Sequence, residues 1–164
     1  MATDGVPGNG AWEAKLPTPA KPAWLALDVG VGPPRLLFTW AATGNPGYTE
    51  TTYGAMGSYR LETSPNSTNG VDGAWKTVVE VKDNPVMCRA HTFDFDGQRW
   101  VKLVVTGPTP KTYQWGIQLD EVGVYDVSFG TRDTWLFVGD SITADVFNRH
   151  VEHRPSFADQ VHRA

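Results

Sequence analysis

Between residues 24 and 128 the sequence repeats one pattern, a short run of apolar residues followed by a turn signal. The apolar runs lie at 24–29, 36–40, 59–63, 75–81, 91–95, 100–105 and 117–127. Asn69-Gly70 and Asp72-Gly73 separate two of these runs, and such pairs favour tight turns. Residues 59–63 alternate in polarity, as a half-buried strand does. No window among the runs has helical periodicity, so the pattern predicts an all-β fold, an antiparallel β-sandwich or jelly roll of seven strands.

The length and charge of the chain exclude several classes of protein. The 164 residues are enough for one domain and at most a fragment of a second. The net charge is −4 and Lys and Arg form no run, which excludes nucleic acid and a membrane surface as partners. Cys88 is the single cysteine, so no internal disulfide can form, and we predict a buried or inert thiol.

The amino-terminal residues give little information on location. Residues 1–5 lack the basic and apolar regions of a signal peptide. An extracellular bacterial location is therefore expected only if an upstream signal has been removed. Residues 1–23 are rich in Gly and Pro and are predicted to be extended chain on the surface.

The sequence changes character after residue 130. Residues 134–138 form a continuous apolar run, which is typical of a strand buried on both faces. A Gly-Asp-Ser turn ending at Ser141 follows, and then a stretch that can be helical. We therefore predict two segments, a sandwich at 1–130 and a short strand-turn-helix tail at 131–164.

Residues 137–144 read Phe-Val-Gly-Asp-Ser-Ile-Thr-Ala and resemble the first conserved block of the GDSL, or SGNH, hydrolases. The resemblance implies that Ser141 is the nucleophile of an esterase. Such a serine needs a base and oxyanion donors, which that family supplies from later blocks. No Gly follows Gly139, and the Asp-x-x-His at Asp159 falls within the predicted helix after Ser141. We expect only the truncated start of a hydrolase domain, in which Ser141 is not competent.

Five segments in order resemble the galactose-binding-like family, which includes discoidin domains and many bacterial carbohydrate-binding modules. They are Asp-Gly at 4–5 with Trp12, then 24–30, 59–75, 99–103 and 119–125. The resemblance covers residues 2–127 and implies a carbohydrate-binding β-sandwich. It requires no cofactor, but many members hold a structural calcium, which here would lie between Asp4 and Glu121. The alternative is that Asp4 and Glu121 are ordinary terminal and surface carboxylates.

The sugar site implied by this resemblance would lie in loops at one end of the sandwich. Sugars are bound by rings that stack on the pyranose and by amide or charged groups that bind hydroxyls. The long loop at 42–56 and the segment before Phe93 carry such residues. The ligand-binding candidates are Asn45, Tyr48, Tyr53, Asn84, Arg89 and His91. For each one the alternative is a structural role at the edge of the core.

Three functions remain open. The first is a non-catalytic carbohydrate-binding module of a multidomain SGNH esterase, with an oligosaccharide or polysaccharide as partner. The second is a structural buttress that binds no ligand. The third is an esterase that uses Ser141 and is completed by self-association through residues 132–164. The chain by itself is expected not to be an enzyme.

Overall fold

The computed structural model describes residue 3 and residues 11–42, 54–109 and 116–129. These residues form eight strands and no helix. The strands are β1 (Trp12–Ala14), β2 (Ala23–Asp28), β3 (Arg35–Ala42), β4 (Met56–Ser64), β5 (Lys76–Val81), β6 (Cys88–Asp94), β7 (Trp100–Pro108) and β8 (Ile117–Asp126). In this part of the chain, no helix long and apolar enough to cross a membrane is found.

The strands form two four-stranded sheets in which all neighbours are antiparallel. Sheet 1 has the order β1-β8-β3-β6, and sheet 2 has the order β2-β7-β4-β5. The predicted all-β antiparallel sandwich is confirmed. The predicted helix of the tail at 131–164 lies outside the described residues.

Alternation along the strands builds the core between the sheets. In β3, Leu36, Phe38 and Trp40 are at most 2% exposed, while the residues between them are half-buried. Tyr59 and Leu61 of β4 lie opposite them and are equally buried. Each large side chain buried in this way contributes about 1.5–3 kcal/mol to stability relative to exposure.

Two local features differ from a simple surface chain and a buried thiol. The segment at 1–23, predicted to be extended, contains strand β1, which pairs with β8 between Trp12 and Leu119. A strand of three residues is too short to show a period in the sequence. Cys88 is exposed, not buried, because it alternates with Arg89 and His91, which turn toward the other sheet.

The strand register places several connections at the same end of the sandwich. Ala41 of β3 pairs with Cys88 of β6, and Met56 of β4 pairs with Pro108 of β7. The connections at 43–55, 82–87 and 109–116 therefore all leave from one end, which we call the loop end. The connections at 29–34, 65–75 and 95–99 leave from the opposite end.

Candidate functional site

The loop end contains the connection at 82–87, and it is the end at which β3 stops at Ala42 and β4 begins at Met56. The backbone N–H of Ala42, the last residue of β3, donates to the carbonyl of Met87 at 2.8 Å. The backbone N–H of Asn84 donates to the carbonyl of Gly57 in β4, also at 2.8 Å. The connection at 82–87 is thus bound to both strands that flank the connection at 43–55.

A polar network lies inside the sandwich next to the loop end. The indole Nε1–H of Trp40 donates to the hydroxyl of Tyr59 at 3.1 Å, and the two rings meet edge to face at 5.6 Å and 84°. His91 Nε2 lies 2.7 Å from the same hydroxyl. Arg89, on the same strand as His91, has its positive charge close enough to oppose the rise in the pKa of the Tyr59 hydroxyl. We call these four residues the Tyr59 network.

The Tyr59 hydroxyl can bond His91 in two ways. A hydroxyl oxygen accepts two hydrogen bonds and donates one. The indole of Trp40 donates to this oxygen, which leaves one acceptor position and the hydroxyl proton. Nε2 of His91 therefore accepts from the hydroxyl or donates to it, according to the tautomer of the imidazole.

The pKa values in the network show which of its groups are charged. Burial is the main cause that lowers the pKa of His91 below 6.5, and the positive charge of Arg89 lowers it further. Burial raises the pKa of Tyr59 above 10.0, although the bond from Trp40 and the charge of Arg89 oppose that shift. At neutral pH the network therefore holds a neutral imidazole, a neutral phenol and one positive charge.

Arg89 and His91 are the members of the network that can reach a ligand. Both are half-buried, whereas Trp40 and Tyr59 are at most 2% exposed. They lie two residues apart on β6, an edge strand of sheet 1, and point toward sheet 2. The bond to Tyr59 fixes one side of the His91 ring. The guanidinium of Arg89 has five N–H donors in a planar arrangement, which suits the acceptors of a ligand.

Asn84 has a structural role in the connection at 82–87. Its side chain is 2% exposed, and its amide Nδ2 donates at 2.8 Å to the carbonyls of both Met56 and Val86. Its carbonyl Oδ1 is buried without a hydrogen-bond partner among the described residues. Both polar ends of the side chain are buried, so Asn84 mainly holds the loop in place.

Five other predicted residues lie outside the described residues. They are the candidate calcium ligand Asp4, the loop residues Asn45, Tyr48 and Tyr53, and the candidate nucleophile Ser141. Their roles remain predictions.

Glu121, the other predicted calcium ligand, lies on β8 opposite Ala41. Its Oε2 is buried and has no hydrogen-bond partner among the described residues. An unpaired buried carboxylate oxygen is costly unless something compensates it, and a cation can do so. The described part of the chain contains no group of three or more His, Cys, Asp or Glu placed to bind a metal.

Trp40 and Tyr59 were not predicted as part of the site. In the sequence each stands in an alternating strand, where an inward aromatic residue is indistinguishable from ordinary core. The pairing of Trp40 with Arg89 across β3 and β6 brings the ring and the cation together. The sequence of one strand alone does not show how that strand pairs with another.

Comparison with known proteins shows which solved structures share the fold of this chain. No model of a protein family matches the sequence, and no curated protein matches it. The chain is similar to the crystal structure of chitosan-binding module 1 from a chitosanase/glucanase of Paenibacillus sp. IK-5, with 23% identity and a TM-score of 0.53, over 76% of this chain and 81% of that one. A selenomethionine-labelled mutant of that module matches with 20% identity and a TM-score of 0.52, over 76% of this chain and 80% of that one. Both structures share the two-sheet sandwich.

Proposed function

We propose that the sandwich is a carbohydrate-binding module whose ligand binds at the loop end. The observation that carries this proposal is the Tyr59 network, in which a buried hydroxyl bonds the partly exposed His91, next to the partly exposed Arg89 and beside three connections. Positioned polar groups in loops at one end of a sandwich are typical of small-ligand sites. The fold likeness to a module named for chitosan binding supports the same function.

In the proposed site, residues of strand β6 and residues of the connection at 43–55 make different contacts with the sugar. Arg89 donates to two neighbouring hydroxyls of a sugar, a geometry that suits the planar guanidinium. His91 presents its Nδ1 as a further hydrogen-bonding atom. Tyr48 and Tyr53, in the connection at 43–55, are proposed to supply the flat faces that stack on the ring, and Asn45 a further amide. Asn84 keeps the neighbouring connection in place.

Charge indicates which sugars the loop end accepts. Arg89 carries a positive charge, and His91 is neutral at pH 7 because its pKa is lowered. A protonated amino sugar would be repelled at short range, while a neutral or acidic sugar would not. We therefore propose a ligand without positive charge, in contrast to the polycation that the similar module is named for.

Calorimetric titration tests both statements. The probes are cellohexaose as a neutral sugar, hexagalacturonate as an acidic one and the hexamer of glucosamine as a cationic one. Arg89→Ala is expected to weaken binding by about tenfold, the effect of losing hydrogen bonds to a charged group. Arg35→Ala is the matched control, because Arg35 lies on β3 at the opposite end.

Three results would count against the proposal or a part of it. No binding of any of the three probes would rule out the function for these sugar classes. Tighter binding of the glucosamine hexamer than of cellohexaose would contradict the charge argument alone. An equal loss in the Arg35 and Arg89 variants would show that the effect is net charge and not the site.

We further propose that the module belongs to a multidomain SGNH esterase, in which Ser141 is the nucleophile. The support is the block at 137–144, which follows the sandwich in the sequence. Serine catalysis requires a positioned base, so this chain should hydrolyse p-nitrophenyl acetate no faster than its Ser141→Ala variant. Turnover that disappears in the variant would favour the alternative of an active esterase.

A structural calcium between Glu121 and Asp4 is proposed on the strength of the unpaired Glu121 oxygen. Calcium takes six to eight oxygen ligands, so backbone carbonyls would complete the shell. Calcium at a hundred times its dissociation constant would stabilise the fold by about 2.7 kcal/mol. We expect a higher midpoint of thermal unfolding in calcium than in chelator, and no such difference in Glu121→Gln. Equal midpoints for the parent protein would favour the ordinary-carboxylate alternative.

A further inference from the structure

The outer face of sheet 2 carries a cavity beside the connection at 82–87. Tyr59 is among its lining residues, but the Tyr59 side chain is 1% exposed and belongs to the core, and Arg89 and His91 do not line the cavity. Its volume is about 420 Å³, within the range of small-ligand pockets. It lies between the turn at Pro19 and strands β4, β5 and β7. Pro19 and Val81 give it apolar surface, and the hydroxyls of Ser58 and Thr106 give it polar surface.

The charged residues around the cavity balance. Arg60 and Lys82 are positive, and Glu80 and Asp83 are negative. Lys82 lies 3.3 Å from Glu80, and Arg60 forms an ion pair with Glu62, so the positive charges are already paired. A cavity without excess charge favours neither an anion nor a cation. It suits a neutral ligand that both donates and accepts hydrogen bonds.

An exposed aromatic ring continues the same face. Arg60 is paired with Val104 of β7, and Val104 is paired with Trp24 of β2. Trp24 therefore lies two strands from Arg60, a separation of about 10 Å. Its ring is 46% exposed, and it offers a flat apolar surface beside the polar cavity.

Trp24 belongs to a fixed aromatic arrangement. The Lys102 ammonium lies 5.6 Å from the centre of the Trp24 ring and 3.4 Å from that of Trp75. The Nε1–H of Trp75 donates to the carbonyl of Asp72 at 2.8 Å, which holds that ring against the sheet. Side chains ordered before binding lose little entropy when a ligand arrives.

We propose that this face is a second saccharide-binding surface, on which one pyranose unit of a neutral oligosaccharide stacks on Trp24 and a neighbouring unit enters the cavity beside Glu80 and Asp83. This inference rests on the proposed function, because it assigns a second surface to a module that binds sugar. A neutral oligosaccharide suits both the Trp24 ring and the cavity. The carbons of one pyranose ring cover the indole, and the hydroxyls of the next bond to the charged residues of the cavity. A chain that spans both surfaces would gain affinity through multivalency.

Indole signals in nitrogen–proton correlation spectra test this proposal on the whole chain. Cellohexaose is the probe, and the Nε1–H signals of Trp24, Trp75 and Trp40 are assigned by single Trp→Phe variants. Trp40 reports on the loop end through its bond to Tyr59. We expect the Trp24 and Trp75 signals to shift on titration, with a midpoint that differs from that of the Trp40 signal.

The variants separate this surface from the loop end. In Trp24→Ala, the dissociation constant read from the Trp75 signal is expected to rise about tenfold, and the one read from the Trp40 signal to stay unchanged. Trp24→Phe keeps a flat ring and should retain most of the affinity. Phe129→Ala, which removes a 96% exposed aromatic ring elsewhere, is the matched control and should change neither response.

Each outcome bears on one proposal or on both. A Trp40 shift without shifts of Trp24 and Trp75 overturns the second surface and leaves the loop end intact. Shifts of Trp24 and Trp75 alone support the second surface and contradict the loop end. No shift of any indole signal overturns both for this sugar. Glu80→Gln provides a second variant of the cavity that leaves the Trp24 ring in place, and it should weaken the Trp75 response in the same way as Trp24→Ala.

Discussion

The phenolic oxygen of Tyr59 lies 2.7 Å from Nε2 of His91, and this bond joins the two sheets of the sandwich. Trp40 donates to the same oxygen, so the hydroxyl links an indole and an imidazole inside the core. Protonation of His91 would place a second positive charge beside that of Arg89 in a partly buried position, which burial and the charge of Arg89 both disfavour. The packing at this end of the sandwich is therefore linked to pH.

Acidification should destabilise the fold through His91. Its pKa is lowered below 6.5 in the folded protein, so the unfolded chain takes up this proton first. Stability is therefore lost as the pH falls from 6.5 toward the lower folded value. The measurement is the free energy of unfolding in urea at pH 7.5 and pH 5.5. His91→Gln, whose amide oxygen can still accept from Tyr59, should lose less between the two.

The carboxylates with shifted pKa values do not titrate in that interval. Asp28, Asp72 and Asp126 all have pKa values lowered below 3.8, that of Asp72 to about 2, because hydrogen bonds favour their charged forms. Their contribution is lost only at lower pH. An identical loss between pH 7.5 and pH 5.5 in the parent and in His91→Gln would show that the Tyr59 bond is not the titrating feature.

Removing the Tyr59 hydroxyl should destabilise the sandwich. Tyr59→Phe keeps the ring but leaves the buried Nε1–H of Trp40 without its acceptor. An unpaired buried donor costs about 1–3 kcal/mol, which urea unfolding measures directly. Tyr125→Phe is the matched control, since that side chain is 55% exposed, and its effect should stay within about 0.5 kcal/mol. Equal stabilities of the two variants would contradict the role of the hydroxyl.

The strands were predictable because their signals are local. Alternation at 59–63 and the apolar run at 100–105 fall inside strands of the structure, and the alternating segment at 91–95 overlaps β6 up to Asp94. The Asn69-Gly70 turn was also readable, and Gly70 has a φ of +79° that most residues avoid. The pairing of strands into two sheets brings together residues distant in sequence, and no local signal encodes it.

The same limit applies to the candidate site. Arg89 and His91 were predictable because polar residues at inward positions of a strand are unusual. Tyr59 was not, because an inward tyrosine in an apolar strand looks like core. The position of Lys102 between two indole rings depends on β7 lying between β2 and β4, which follows only from the sheet order.

Removing the positive charge of Lys102 should change stability little, whereas replacing it with a negative charge should destabilise the fold. Its pKa is lowered mainly by burial, so the attraction of the indole faces is opposed by a desolvation cost. Lys102→Met keeps the aliphatic packing and should change the free energy of unfolding by less than about 1 kcal/mol. Lys102→Glu turns a carboxylate toward two negative ring faces and Glu62. It should cost more than about 2 kcal/mol.

Thermal and urea unfolding of the two Lys102 variants, side by side, provide the check. A large loss in Lys102→Met would mean that the cation–π attraction exceeds the cost of burial. A small loss in Lys102→Glu would mean that the indole rings move away from the new charge.

Gly70 should tolerate a methyl group less well than Gly97, and the comparison separates two causes. Both have positive φ, +79° and +68°, so alanine at either position is expected to cost about 1–2 kcal/mol in backbone strain. A Cβ at Gly97 would meet nothing within 4 Å, whereas at Gly70 it would lie 2.8 Å from the Cβ of Ala26. Gly70→Ala should therefore cost about 1–3 kcal/mol more than Gly97→Ala in urea unfolding, because β2 must move. Equal losses would show that backbone strain alone requires glycine there, and that the 65–75 connection can move away from β2 at little cost.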